Sequence, residues 1–146
     1  MKENYAALQK LGISKQDAPF FSPPYDLYND SISRWCKEAG IYVIRSTPGT
    51  YSTFDYTFPE MRENYYSSKE ILDQIMRVES STGLNGYILQ FNLGTNPGRK
   101  DKFYNMLPAL LSNLQKDGYT FVDLFTATDL ISKPVIQGKS KKKDKK

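Results

Sequence analysis

Helical stretches alternating with short apolar runs predict an α/β fold, a mostly parallel sheet whose strands are joined by crossover helices. Three observations support this. Apolar residues recur at helical offsets along the chain, glycines follow several of those stretches, and compact runs such as residues 41–44 and 87–91 fall between them. With 146 residues the chain is one domain at most, short of the roughly 200 residues a closed eight-unit barrel needs.

Tyr5, Leu8 and Leu11 followed by Gly12 predict a short helix closed by a glycine. Ala18, Pro19, Phe20 and Phe21 predict a buried strand running into a turn over Ser22, Pro23, Pro24, Tyr25 and Asp26. Asn29 or Asp30 caps the next helix, whose apolar face carries Ile32, Trp35, Cys36 and Ala39; Gly40 ends it before the strand 41–44. A long polar and aromatic loop spans residues 47–66. Ser67 and Glu70 have capping-box spacing ahead of a helix with Ile71, Leu72, Ile75 and Met76, and the strand 87–91 follows. Phe103, Met106, Leu107, Leu110, Leu111 and Leu114 draw a helical stripe that Gly118 terminates, before a strand at 119–124 and a short helix at 128–131.

Charge is unevenly placed. The segment 138–146 holds six lysines against Asp144, a net of +5 within a total of +4, so the remaining residues sum to −1. A terminal lysine run without interleaved aromatics predicts a disordered, solvated tail at 133–146 rather than a phosphate grip, and no nucleic-acid partner is expected. The lone Cys36 excludes a disulfide within the chain and reads as a buried, inert thiol. No secretory leader and no membrane span is expected. The absence of histidine excludes a Ser-His-Asp triad, and no glycine-rich phosphate loop or metal-ligand cluster is visible. The 11 tyrosines, 8 phenylalanines and one tryptophan are compatible with a carbohydrate-facing surface.

Asn92 is the most informative position. It stands where the apolar run 87–91 meets the loop Leu93, Gly94, Thr95, Asn96, Pro97, the place where α/β folds put their reacting groups. A carboxamide there can hydrogen-bond but cannot titrate.

Residues 21–30, 47–50, 55–57, 83–86, 93–97, 101–104 and 118–122, taken in order and at their spacing, resemble the second half of a polysaccharide deacetylase (NodB-homology) domain. The branch common in Bacteroides-type bacteria is the nearest likeness, and the resemblance covers nearly everything from Asn4 to about Leu124. It implies a partial (β/α) barrel with about four parallel strands. The family hydrolyses acetyl groups on N-acetylglucosamine polymers or acetylated xylan. A divalent metal, commonly zinc, is held there by an aspartate and two histidines, with a second aspartate as general base. Those ligands belong to family motifs preceding the matched region, so no metal or cofactor is expected from this chain.

By the same resemblance, Pro23, Pro24 and Tyr25 correspond to the groove wall and the acetate-facing turn. Ser22 stands at the family arginine that orients the catalytic base, and Asp26 at the family glycine. Asp55 corresponds to the aspartate that tunes the catalytic histidine, and Asn92 to that histidine, which protonates the leaving group and needs a pKa near about 6.5. The resemblance thus implies an acetylated polysaccharide or oligosaccharide partner, contacted by Pro23, Pro24, Tyr25, Asp26 and Tyr56, with Tyr51, Phe54 and Phe58 nearby, in a domain inactive by itself. The alternative is a non-catalytic glycan-binding or assembly module. In it, uncovered strand edges pair in a homo-oligomer or with a missing N-terminal half.

Overall fold

The structure, a computed structural model, describes residues 2–132. The lysine-rich tail expected at 133–146 lies outside the described residues. The chain divides into two compact units, Met1–Leu110 and Leu111–Lys146.

In the first unit, helix α1 (Lys2–Lys10) ends at Gly12, whose φ of 79° is the left-handed conformation that a glycine tolerates best. The Tyr5 hydroxyl donates to the Ala18 carbonyl at 2.8 Å and ties α1 to the strand that follows. Strand β1 (Phe20–Phe21), helix α2 (Asp30–Glu38) and strand β2 (Tyr42–Val43) form a β-α-β unit with parallel strands, Phe20 opposite Tyr42 and Phe21 opposite Val43. Asn29 caps α2 by accepting from the Ile32 N–H at 3.0 Å. Cys36 is buried as the apolar stripe requires, but Trp35 is 56% exposed. Residues 35 and 36 lie about 100° apart on a helix, and α2 rests only its Cys36 side against the rest of the unit.

Helix α3 (Ser68–Thr82) opens with the expected capping box: Ser67 accepts from the Glu70 N–H, and Glu70 reaches back to the Ser67 N–H at 2.8 Å. Its buried face carries Ile71 and Ile75 and packs on two 3₁₀ turns, Ser52–Tyr56 and Phe103–Met106. Phe103 is buried and stacks on Phe91 with ring centroids 4.4 Å apart.

Only β1 and β2 form a ladder among the described residues, against the four strands and partial barrel expected. Residues 87–92 carry no ladder because their alternate N–H groups go to side chains. Ile88 donates to Thr47 Oγ1 at 2.9 Å, Gln90 to Ser52 Oγ at 3.3 Å and Asn92 to Asp55 Oδ2 at 2.7 Å. One backbone bond, from Thr47 N–H to the Ile88 carbonyl at 2.9 Å, joins the same two segments. The long loop 47–66 is therefore the neighbour of this extended run. It holds the run with two hydroxyls, a carboxylate and that single peptide bond.

That loop is closed by Arg99, which is fully buried. Its Nη1 donates to the carbonyls of Thr57 at 2.6 Å and Tyr66 at 2.8 Å, its Nη2 to Ser68 Oγ at 2.8 Å, and its Nε to the Asp101 carbonyl at 3.2 Å. The Asp101 carboxylate stands 3.6 Å from Nη2 and accepts from the Ser68 N–H at 2.6 Å and the Tyr65 hydroxyl at 2.9 Å. A guanidinium can be buried at tolerable cost only when its forked donors are occupied, as they are here.

Helix α4 (Leu107–Lys116) starts after the 3₁₀ turn, so the apolar stripe is split between two helix types. In the second unit, residues 119–123 are irregular rather than a strand, and Phe121 and Val122 are exposed. Helix α5 (Leu124–Ser132) begins earlier than the short helix expected at 128–131, because Asp123 caps it, accepting from the Thr126 N–H at 2.8 Å and the Thr126 hydroxyl at 3.0 Å. Among the described residues no helix is long and apolar enough to cross a membrane.

Replacing Arg99 by alanine leaves the buried Thr57 carbonyl without its donor and takes one donor each from the Tyr66 and Asp101 carbonyls and Ser68 Oγ, and is expected to cost at least about 3 kcal/mol of stability in urea unfolding. Arg99→Lys keeps the charge but not the fork and is expected to recover less than half of that loss. A lysine variant as stable as the parent would show that the charge, not the fork, holds the loop.

Candidate functional site

Asp55 sits in the 3₁₀ turn Ser52–Tyr56, which follows Tyr51 at a φ of 59°. The turn directs the carboxylate inward, where it is 1% exposed. Both of its oxygens are taken by one residue: Oδ1 accepts from Asn92 Nδ2 at 2.6 Å and Oδ2 from the Asn92 N–H at 2.7 Å. Two positions that are 37 residues apart thus form a closed two-bond pair.

The pair has a definite polarity. A carboxylate accepts only, so Asn92 must turn its NH₂ toward Asp55, and its amide oxygen stays outside the pair. Burial pushes the Asp55 carboxyl above the usual carboxylate range. The two Asn92 donors and the Arg99 charge oppose that shift without cancelling it. Asp101 shows the other outcome: burial alone would raise it, but the Ser68 N–H, the Tyr65 hydroxyl and Arg99 together hold its carboxyl below the usual range. Asn92 can orient a hydroxyl or an amide N–H, but it has no proton to deliver, and Asp55 is enclosed behind it.

The turn Pro24–Asp26 forms a second group of residues. Pro23 is buried and extended, and Tyr25 and Asp26 both adopt positive φ, 57° and 56°. This conformation throws the Tyr25 ring outward to 93% exposure and turns the Asp26 carboxylate inward, where Oδ2 accepts from Ser46 Oγ at 2.5 Å. Asp26 borders a cleft of about 250 Å³ whose other lining residues run from Arg45 to Phe54. Ser22 and Pro24 are exposed, and no hydrogen bond among the described residues links Ser22 to Asp55 or Asn92. Tyr56 is 49% exposed, beside the buried Asp55 in sequence but facing outward.

Of the residues singled out in the sequence, the fold joins Asp55 to Asn92 and sets Pro23, Tyr25 and Asp26 on one turn. Ser22 is exposed and is joined to neither Asp55 nor Asn92 by a hydrogen bond among the described residues. Sequence reasoning missed Arg99 and Ser46. Nothing in the stretch Pro97, Gly98, Arg99, Lys100, Asp101 signals that one of its two cations is buried, because both neighbours are equally polar. Ser46 follows the strand run and has no periodicity to betray it.

No group of three or more His, Cys, Asp or Glu side chains among the described residues is arranged to hold a metal ion. The donor set does not fit the zinc centre that the resemblance implies, since that centre needs imidazoles and the chain has none. The chain matches no protein-family model, no curated protein and no solved structure.

The raised Asp55 carboxyl has a signed consequence. A group whose pKa is higher in the folded state contributes fully below its unfolded value of about 3.9, and that contribution is lost as pH rises through the folded value. Asp55→Asn removes the titration and can keep two bonds by turning the Asn92 amide over. The stability of the parent relative to Asp55→Asn is therefore expected to be greatest below about pH 4 and to shrink toward neutrality. Urea midpoints of both proteins between pH 3.5 and 7 read this out, and a difference that grows with pH would contradict the burial argument.

Proposed function

We propose that this chain is a polysaccharide deacetylase-like domain segment that contacts acetylated glycans but does not, as these 146 residues alone, remove their acetyl groups. The observation that carries the reading is the Asp55–Asn92 pair. In the family resembled, an aspartate holds the catalytic histidine; here the residues at those two places meet through two hydrogen bonds, with an amide in the position of the imidazole. The substitution keeps the hydrogen-bonding geometry and removes the titrating proton.

The Pro24–Asp26 turn supports the same reading. Asp26 stands where the family carries a glycine, and its φ of 56° is a conformation glycine adopts without strain. Tyr25, at the acetate-facing position, is the most outward-turned of the aromatic residues near the site. Its ring is free to lie against a sugar face.

The expected outcome is saturable binding of N-acetylated chitooligosaccharides or acetylated xylo-oligosaccharides, seen as shifted amide signals in nitrogen-labelled protein. Acetate release should stay at the level of a heat-denatured control, since loss of the general acid costs about 10²–10⁴-fold by itself. Asn92→His is not expected to restore turnover, because no metal half-site accompanies it. Acetate release above the control and abolished by a chelator would overturn the assignment of the site.

A second reading, a module that assembles with another chain, rests on the segment 87–92. Its alternate N–H groups at Ile88, Gln90 and Asn92 are occupied, while those of Leu89 and Phe91 have no partner among the described residues. An edge of this kind is open to strand addition. Sedimentation of the full chain at micromolar concentration tests it: a compact monomer at every concentration rules out self-assembly through this edge.

A further inference from the structure

We infer that the exposed apolar run at residues 121–125, together with the lysine run that follows it in the chain, is a docking surface for an anionic lipid bilayer. The inference goes beyond the glycan reading and does not depend on it, since it uses the second unit alone.

Exposure is the first observation. Phe121, Val122, Leu124 and Phe125 are between 37% and 51% exposed, four large apolar side chains within five consecutive residues. Single exposed apolar residues are ordinary, but a consecutive run of them is retained where something covers it. Asp123, the one charge inside the run, turns its carboxylate onto the start of α5, where it accepts from the Thr126 N–H and hydroxyl. Its charge is thereby matched to the positive end of the helix.

Charge selects what covers the run. Leu111–Lys146 carries eight lysines against four aspartates, a net of +4 that equals the charge of the whole chain, so residues 1–110 sum to zero. Six of those lysines fall at 139–146, and seven residue steps separate Ser132, the end of α5, from Lys139. Such a tether reaches at most about 25 Å. The apolar side chains and the cations are therefore within reach of one partner, and an anionic bilayer offers both layers they need: acyl chains for the run at 121–125 and headgroup phosphates for the lysines. Either signal alone attaches a protein weakly, and the two together hold it. Nucleic acid fits less well. Single strands are gripped where cations and stacking rings lie side by side, and residues 117–132 contain no lysine or arginine. Helix α5 has nine residues and is about 14 Å long against a hydrocarbon core of about 30 Å, so the contact is interfacial.

The test sediments the full chain with vesicles of phosphatidylcholine, with and without about one-quarter phosphatidylglycerol. The parent is expected to bind the anionic vesicles at least tenfold more tightly than the neutral ones, and less tightly as salt rises from about 0.1 to 0.5 M. Phe121→Ser combined with Val122→Ser removes two exposed side chains, so its thermal midpoint should hold while affinity for the anionic vesicles falls at least tenfold. Leu124→Gln serves if that double variant fails to fold. Lys141→Gln, Lys142→Gln and Lys143→Gln together should lower the affinity by a similar factor. A parent that does not sediment with the anionic vesicles overturns the inference. Apolar variants that bind within twofold of the parent overturn it too, because the contact is then charge alone. So do tighter binding to polyuridylate than to the vesicles, which makes the partner a nucleic acid, and a vesicle-free oligomer that the apolar variants dissolve, which makes it a second copy of this chain.

Discussion

Three N–H groups of one extended run, at Ile88, Gln90 and Asn92, donate to the side-chain oxygens of Thr47, Ser52 and Asp55. Much of the first unit depends on that arrangement. A β-ladder would have paired those donors with another backbone and left the loop free; here the loop itself is the partner, so its conformation is constrained at every second residue of the run. The 3₁₀ turn Ser52–Tyr56 follows from this, because only a tight turn brings Ser52 and Asp55 to register with donors two residues apart.

The cost is a core rich in polar groups. Ser46, Thr50, Ser52, Asp55, Thr57, Ser68 and Arg99 are all buried, beside apolar residues such as Cys36, Ile71, Ile75 and Phe103. Such a core is stable only while every member is satisfied, and most of these bonds cross between segments far apart in sequence. Thr57 shows the coupling. Its hydroxyl donates to the Phe54 carbonyl and accepts from the Tyr66 N–H, while its own carbonyl is held by Arg99. Loss of any one bond leaves its neighbours unpaired in a low-dielectric setting, so the network behaves as a unit rather than a sum.

The same network sets what the site can do. Asp55 is buried and accepts both Asn92 donors, so its carboxylate fixes the orientation of that amide. Asp26, on its positive-φ turn, borders a cleft while its carboxylate is turned inward onto Ser46. Both carboxylates turn inward, Asp55 onto Asn92 and Asp26 onto Ser46, and neither residue's sequence neighbourhood reveals its partner.

Local signals carried the helices. The Asn29 cap, the Ser67 and Glu70 capping box, Gly12 and Gly40, and the buried faces at Cys36, Ile71 and Ile75 were all legible, because capping and periodicity act over a few residues. The strand run at 41–44 was legible for the same reason; its partner, residues 20–21, was named only by the folded chain, in the parallel sense that the β-α-β order favours. Residues 87–91 and 119–124 read as strands too, since apolar composition records a preference for extended backbone but does not name a partner. Whether the donors of such a run meet a backbone or a row of hydroxyls is decided by what packs beside it, across 37 or more residues. Arg99 lay beyond the sequence for a related reason: burial of a cation depends on four carbonyl and hydroxyl oxygens converging on it, and convergence is a property of the folded chain alone.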